Sequence, residues 1–285
     1  FGLSRFITDL MWYGQLGFQS VVWTQLGVKI GLWVAYALLM ALTGFVSAWL
    51  AIRARPDSAD GSTIRINGDV VEVGKSVSSK TARRVAVVIS LIVGVIFGSQ
   101  FNANWSEILL MFNAQSFGTT DPQFGLDNGF YVFVLPGLKL VLAAVAMLLG
   151  VGLVFSVVTH VLMGGIRITM PVNGRGLFSI TKRCRRQLGI WLMLNMFAWA
   201  VRQMIGVFDQ LTVQGSRITG ASYTAVHANI PVTFIMAALT AILGVVLGIW
   251  LMRSHTLEGQ ASIGVRASIS AFTACVAACW SGVSS

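Results

Sequence analysis

Long apolar blocks, separated by short and mostly basic connections, set the strictest limit on the fold of this sequence. A helix needs about 20 apolar residues to cross a hydrocarbon core about 30 Å thick. Blocks suited to such a crossing lie at residues 27–52, 85–103, 137–163, 188–208, 232–252 and 267–283. The sequence therefore predicts an all-α fold, a polytopic transmembrane helical bundle of about six spans within residues 27–285.

The balance of residue types agrees with a membrane protein and excludes a soluble globular enzyme of this size. Of the 285 residues, 55% are apolar and 11% are charged, whereas a soluble domain has about 45–50% and about 25%. The net charge of +10 does not indicate a nucleic-acid partner, because the cations lie in short loops between apolar blocks. The expected partner is the lipid bilayer.

Basic residues are concentrated on alternate connections of the predicted bundle, and this pattern predicts its orientation. Fifteen of the 20 lysines and arginines fall in the loops after the first, third and fifth blocks. Loops rich in Lys and Arg stay in the cytoplasm. We therefore expect residues 1–26 to form an outer interfacial segment, and the C-terminal end of the chain to be extracytoplasmic.

The connection at residues 53–84 is predicted to be a cytoplasmic loop that contains a small β-hairpin. Apolar and polar residues alternate from Thr63 to Gly74 around Asn67 and Gly68. Asn-Gly between two alternating runs is a strong short-range hairpin signal. A flexible linker is the alternative interpretation of the same residues.

A second connection, at residues 104–136, is predicted to be a structured outer loop. The apolar spacing of residues 105–113 resembles a short interfacial helix. Asp121 ahead of Pro122 predicts a helix N-cap followed by proline at the first helical position. The loop is interpreted either as a structural element with aromatic residues at the membrane surface or as part of a ligand site.

Three ionisable side chains within the apolar blocks are candidates for function, because charge inside a bilayer is costly. Lys29 and Lys139 lie near the outer ends of their blocks, where long side chains reach the headgroups, and Arg202 lies deeper. Together with outer acids they predict either a structural polar network or an outward-facing basic cavity for an anion or lipid headgroup. The candidate residues are Lys29, Lys139, Arg202, Asp121, Asp127 and Asp209.

Residues typical of catalysis or metal binding are too scattered to predict either chemistry. Cys184, Cys275 and Cys279 form no paired framework. The three histidines are far apart, and no HExxH, GxSxG or P-loop motif stands in a suitable context. We expect no catalytic residues, no metal and no cofactor, and therefore a protein that is not an enzyme.

Four stretches of the sequence resemble uncharacterised protein family 0182. They are Phe6-Ile-Thr-Asp9 with Trp12-Tyr-Gly-Gln-Leu-Gly-Phe18, the run from Asn113 to Asp127, the run from Phe130 to Pro136, and the run from Gly220 to Pro231. The family comprises large bacterial multi-pass membrane proteins with a long extracytoplasmic region. The resemblance implies an N-terminal membrane domain in the bacterial plasma (inner) membrane, with at least one span before Phe1 and an exported region after Ser285. It implies no established activity.

These observations lead to two functional hypotheses. The first is a membrane anchor or scaffold for a large exported domain, or a subunit of an envelope complex that packs against other envelope membrane proteins. The alternative is a transporter or a lipid- or anion-handling protein with an outward-facing basic cavity at Lys29, Lys139 and Arg202.

Overall fold

The chain folds into long helices joined by short connections. A computed structural model describes residues 2–54, 63–66, 69–72, 79–99, 104–163, 166–168, 178–212 and 220–253. The α-helices are α1 (Gly2–Gln15), α2 (Gln19–Arg53), α3 (Ser79–Gly98), α4 (Trp105–Phe112), α5 (Leu135–Leu162), α6 (Lys182–Gly206) and α7 (Ile230–Arg253). A wide π-helical turn precedes α5 and another precedes α7, at Phe130–Val134 and Ala225–Asn229.

Five helical stretches are long and apolar enough to cross a membrane. They are Gln19–Arg53, Lys80–Gly98, Phe130–Leu162, Lys182–Leu211 and Ala225–Arg253. The predicted helical fold is thereby confirmed, with five candidate spans in the described part of the chain. The sixth predicted span, at residues 267–283, lies outside the described residues.

The helices do not begin and end where hydropathy alone placed the spans. The first predicted span began at residue 27, but α2 begins at Gln19 and continues for 35 residues. The second was predicted to begin at residue 85, but α3 begins at Ser79; its predicted end at residue 103 lies outside the described residues. Hydropathy reports which residues lie in hydrocarbon, whereas backbone hydrogen bonding continues a helix through polar residues until the chain turns.

The five long helices pack side by side in the order α3, α2, α5, α6 and α7. Neighbours run antiparallel, except that α2 and α5 run parallel, as the contacts of Tyr36 with Ala144 and of Ser47 with Gly152 show. The ends of α2, α5 and α7 therefore lie at the same end of the bundle as the starts of α3 and α6. Tyr36, Met40 and Ile108 form a buried cluster where α2, α4 and α5 meet.

Glycines let the backbones of neighbouring helices approach closely, as is usual for helix pairs in membranes. A methyl group on Gly94 of α3 would lie 2.5 Å from the carbonyl oxygen of Ala37 in α2. A methyl group on Gly189 of α6 would lie 2.9 Å from the carbonyl oxygen of Gly248 in α7. Gly244, one turn before Gly248, likewise lies against α6.

Two short antiparallel strand pairs lie in the connections at one end of the bundle. Strand β1 (Thr63–Ile66) pairs with β2 (Asp69–Glu72), with Thr63 opposite Glu72 and Ile66 opposite Asp69. Strand β3 (Ile166–Ile168) pairs with β4 (Phe178–Ile180). The cytoplasmic location of the first pair stays a prediction.

The connection between α3 and α5 contains one predicted element and lacks another. Helix α4 lies where the short helix was predicted. The helix predicted to start at Pro122 is wrong, because residues 122–124 form a single turn. Gly125 has φ of 68°, a left-handed conformation that ends the turn. The amide of Asp121 then donates to the carbonyl oxygen of Leu126 at 2.8 Å, so that the chain folds back on itself.

We predict that Gly94→Val weakens the contact between α2 and α3. The new side chain would collide with the Ala37 carbonyl oxygen, and overpacking of this kind costs about 1–3 kcal/mol. The free energy of unfolding can be measured by denaturant titration in mixed micelles.

Gly27→Val in α2 is the matched control, because no atom lies within 4 Å of a methyl group placed there. Equal losses of stability in the two variants would contradict the assignment of Gly94 to a helix–helix contact.

Candidate functional site

In the described helices and the loop before α5, the acidic side chains lie at one end of the bundle and most of the basic side chains lie at the other. Glu107, Asp121, Asp127 and Asp209 lie at the end that contains α4 and the start of α5, which we call the acidic end. The other end contains the last residue of α2 and the first residues of α3 and α6, and we call it the basic end. All six candidate residues predicted from the sequence lie in the half of the bundle nearer the acidic end.

Lys139 and Asp209 form an ion pair at the acidic end. The Lys139 Nζ lies 2.7 Å from Oδ2 and 2.9 Å from Oδ1 of Asp209. Lys139 lies in the first turns of α5, and Asp209 lies in the 3-10 turn Phe208–Leu211 that follows α6. The side chains are 46% and 37% exposed, and pairs this exposed contribute at most about 1 kcal/mol. The pair therefore fixes how α5 and α6 meet more than it stabilises the fold.

Lys29 and Arg202 each lie over a tryptophan ring. The Lys29 Nζ is 5.1 Å from the ring centroid of Trp105, so that it connects α2 to α4. The guanidinium carbon of Arg202 is 5.6 Å from the ring centroid of Trp199, one turn earlier in α6. Such cation–π contacts contribute about 0.5–1 kcal/mol at exposed sites. The three cations thus have three different partners and are not shown to share one site.

Asp127 holds the loop between α4 and α5 together instead of pairing with a cation. Its carboxylate accepts hydrogen bonds from the Ser116 hydroxyl and from the backbone amides of Phe117, Gly118 and Gly129, the last at 2.6 Å. These donors, Ser116 first, lower the pKa of Asp127 from 3.8 to about 2. A carboxylate that accepts several such bonds favours its charged form.

Asp121 organises the neighbouring turn and joins the loop to the bundle. Its Oδ2 accepts hydrogen bonds from the amides of Gln123 and Phe124 at 3.1 and 2.7 Å, and from the Tyr131 hydroxyl at 3.3 Å. The Phe124 ring meets the Phe208 ring edge-on, with centroids 5.0 Å apart. Because Phe208 directly precedes Asp209, the loop rests beside the ion pair that joins α5 and α6.

A buried polar junction near the basic end escaped the sequence analysis. His160 and Ser47 are 1% and 0% exposed. The Gln187 Nε2 donates to the Ser47 carbonyl oxygen at 2.9 Å, and the Gln187 Oε1 lies 3.0 Å from His160 Nε2. The Ser47 hydroxyl in turn donates to the carbonyl oxygen of Gly152. These four residues, which we call the buried junction, bind α2, α5 and α6 to one another.

The residues of the buried junction are visible in the sequence, but no sequence pattern shows that they come together. His160 lies near the end of the predicted span at residues 137–163, and Gln187 lies just before the one at residues 188–208. Ser47 and Gln187 are 140 positions apart, so no spacing rule connects them. Among the described residues, no group of three His, Cys, Asp or Glu side chains could hold a metal ion.

Residues 1–283 match the family described as Uncharacterised protein family (UPF0182). The chain belongs to this family. It is 76% identical over 268 residues to the UPF0182 protein of Bifidobacterium adolescentis, covering 94% of this chain and 25% of that protein. The UPF0182 protein of Kocuria rhizophila is 34% identical over 250 residues, or 87% of this chain and 24% of that protein. The UPF0182 protein of Corynebacterium efficiens is 30% identical over 244 residues, or 84% of this chain and 24% of that protein.

These comparisons confirm the resemblance drawn from the sequence. The UPF0182 chain described above spans about a quarter of the length of the curated relatives it matches. No solved structure matches it. The family description gives no activity, so that the contacts within the bundle are the basis for a functional proposal.

We predict that Asp127→Asn loosens the loop at residues 113–129. An amide group would place hydrogen atoms against backbone N–H donors that now surround a carboxylate. Hydrogen–deuterium exchange of this segment at neutral pH should rise. The unchanged protein should show the same loosening on acidification. The pKa of Asp127 is lower in the folded state than in the unfolded state, so the contribution of Asp127 to stability is complete above pH 3.8 and is lost as the pH falls towards 2.

Asp209→Asn is the control, because it removes a carboxylate at the same end without touching the loop's hydrogen bonds. Unchanged exchange in Asp127→Asn, or an equal rise in both variants, would show that Asp127 does not organise the loop.

We also predict that Gln187→Leu destabilises the bundle by about 1 kcal/mol, because it removes hydrogen bonds to both Ser47 and His160. Unfolding can be followed in mixed micelles. Gln203→Leu in the same helix is the matched control, since Gln203 Oε1 is buried without a hydrogen-bond partner among the described residues. A Gln187→Leu protein as stable as the Gln203→Leu protein would contradict the junction's role.

Proposed function

We propose that this chain is the membrane scaffold of a longer envelope protein, in which the helical bundle anchors a large exported region. The observation that carries the proposal is how the charged groups at the acidic end are used. Lys139 pairs with Asp209, Asp127 and Asp121 accept hydrogen bonds within the loop, and Lys29 lies over Trp105. The two cation contacts join one helix to another element and the two carboxylates order the loop, as expected of a scaffold.

The length of the relatives supports the same proposal. Because the chain spans about a quarter of each matched relative, most of a complete UPF0182 protein lies outside it. A rigid outer loop offers such a region a fixed surface. Phe112 and Phe117 of that surface are 76% and 51% exposed, and aromatic residues are enriched at protein–protein contacts.

The remaining parts of the proposal concern location and chemistry. We propose that the bundle lies in a bacterial plasma membrane with its basic end in the cytoplasm, in accordance with the positive-inside rule. Other envelope membrane proteins are the proposed partners. We propose no enzymatic activity, because the titratable groups described at the acidic end serve structural contacts within the loop and between elements.

Arg202 supports a second candidate function, in lipid or anion handling. Its side chain is exposed on a span, and the contact described for it is with the ring of Trp199. A guanidinium group at this position can reach a headgroup phosphate or a dissolved anion. This function would make Arg202 the binding residue.

We predict that a photo-crosslinking amino acid at Phe117 in the full-length protein captures the exported region or a second envelope protein. The reason is that Phe117 is exposed on the loop that Asp127 holds rigid. Crosslinked peptides would be identified by mass spectrometry. The same group at Val154, which is 59% exposed on α5, should capture lipid and serves as the control.

Arg202→Ala separates the two functions. The scaffold proposal expects the Phe117 crosslinks to be unchanged in this variant. Loss of a co-purifying lipid or anion in Arg202→Ala, with crosslinks from Phe117 reaching lipid alone, would favour the second function over the first.

A further inference from the structure

The basic end of the bundle carries a dense set of exposed cations. Antiparallel packing brings the last turns of α2 and α7 to the same end as the first turns of α3 and α6. The exposed cations of these four helix ends are Arg53, Lys80, Arg83, Arg84, Lys182, Arg183, Arg186 and Arg253. The ion pair described between helical elements, Lys139 with Asp209, lies at the other end of the bundle.

Exposed apolar residues next to these cations show the depth at which they lie. Each of the four helices has an exposed apolar side chain within four positions of an exposed cation, about 6 Å or less along the axis. The pairs are Leu50 with Arg53, Val85 with Arg84, Ile190 with Arg186, and Trp250 with Arg253. A surface that changes from apolar to cationic within one turn lies at the boundary between hydrocarbon and headgroups.

The aromatic contact of Arg53 agrees with this depth. Its guanidinium carbon lies 4.0 Å from the ring centroid of Trp49, one turn earlier in α2. Tryptophan is enriched at the headgroup level of membranes. The guanidinium group is therefore presented beside an interfacial ring, where a phosphate of the same leaflet lies within reach.

The positive charge at the N-termini of α3 and α6 favours binding of an anion at this end. Cations are unfavourable near a helix N-terminus, where the aligned peptide dipoles are already positive. Nevertheless α3 and α6 begin with the cations named above, and neither has an acidic residue in its first turn. A phosphodiester would relieve the repulsion, since its oxygens accept hydrogen bonds from Arg and Lys at the same time.

We propose that the basic end is a docking surface for anionic phospholipids, whose phosphodiester headgroups lie among the cations at the starts of α3 and α6. The acyl chains of these lipids lie along the exposed apolar residues one turn deeper. Charge complementarity selects anionic over zwitterionic lipids, because a zwitterionic headgroup brings its own cation to a surface that is already cationic. This inference is independent of the scaffold proposal, since it concerns the opposite end of the bundle.

The test uses the full-length protein incorporated into bilayers of phosphatidylcholine with or without phosphatidylglycerol. Lipids that remain bound after gentle extraction are counted by native mass spectrometry. We expect about a tenfold preference for phosphatidylglycerol over phosphatidylcholine, which decreases as salt is added because the contacts are electrostatic.

Two variants locate the surface. Replacing Lys182, Arg183 and Arg186 by Gln removes the cations at the start of α6, and replacing Lys80, Arg83 and Arg84 by Gln removes those of α3. Each should reduce the preference several-fold. Each variant should have the same unfolding midpoint as the unchanged protein in pure phosphatidylcholine, which shows that its fold is intact. The lipid preferences of the variants and of the unchanged protein are then compared. If one variant fails to fold, the other still tests the surface.

Two controls distinguish this surface from a general effect of charge. The pair Arg183→Lys and Arg186→Lys keeps the charges and should keep most of the preference. The pair Lys29→Gln and Arg202→Gln removes cations near the acidic end and should leave the preference unchanged.

Three results would overturn the proposal. One is equal retention of the two lipids by the unchanged protein. Another is an unaltered preference in both charge-removal variants. The third is displacement of the bound lipid by an excess of inorganic phosphate, which would identify a site for a dissolved anion and not a lipid surface.

Discussion

Close approach of helix backbones is the contact on which this bundle depends. In a bilayer, helices gain little from hiding apolar surface from one another, because lipid tails are equally apolar. Association therefore needs steric fit and interhelical hydrogen bonds. Gly152 supplies both, since the ring of Trp191 in α6 packs on it while its carbonyl oxygen accepts the Ser47 hydroxyl of α2. The central three spans of the row meet at this residue.

The loop between α4 and α5 depends on this arrangement in turn. Asp127 folds the loop internally, and the position of the loop relative to the spans comes from Asp121 with Tyr131, from Phe124 on Phe208 and from α4 on the start of α5. The contact of Phe124 with Phe208 requires α5 and α6 to be neighbours. The order of the spans thus determines the shape of the surface at the acidic end, although few charged contacts join the loop to the spans.

Much of this fold could be predicted from the sequence, and the limits are physical. Apolar length located the candidate spans because the bilayer imposes one thickness on each, whereas the directions predicted from the basic loops stay a prediction. The helix at Pro122 was predicted wrongly because a cap and a proline are local signals, whereas the left-handed turn at Gly125 decides the path. The pairing of Lys139 with Asp209 spans 70 positions and follows from helix order, which local periodicity does not contain.

The unusual length of α2 has a mechanical consequence. Its 35 residues extend about 52 Å at 1.5 Å per residue, well beyond a hydrocarbon core of about 30 Å. The excess extends towards the start of α2 at Gln19, and the left-handed bend at Gly17 separates it from the end of α1 at Gln15. A continuous helix resists bending, whereas a loop would absorb strain. A force applied at the first turns of α2 therefore reaches the spans as torque, because those turns are continuous with the helix in the membrane.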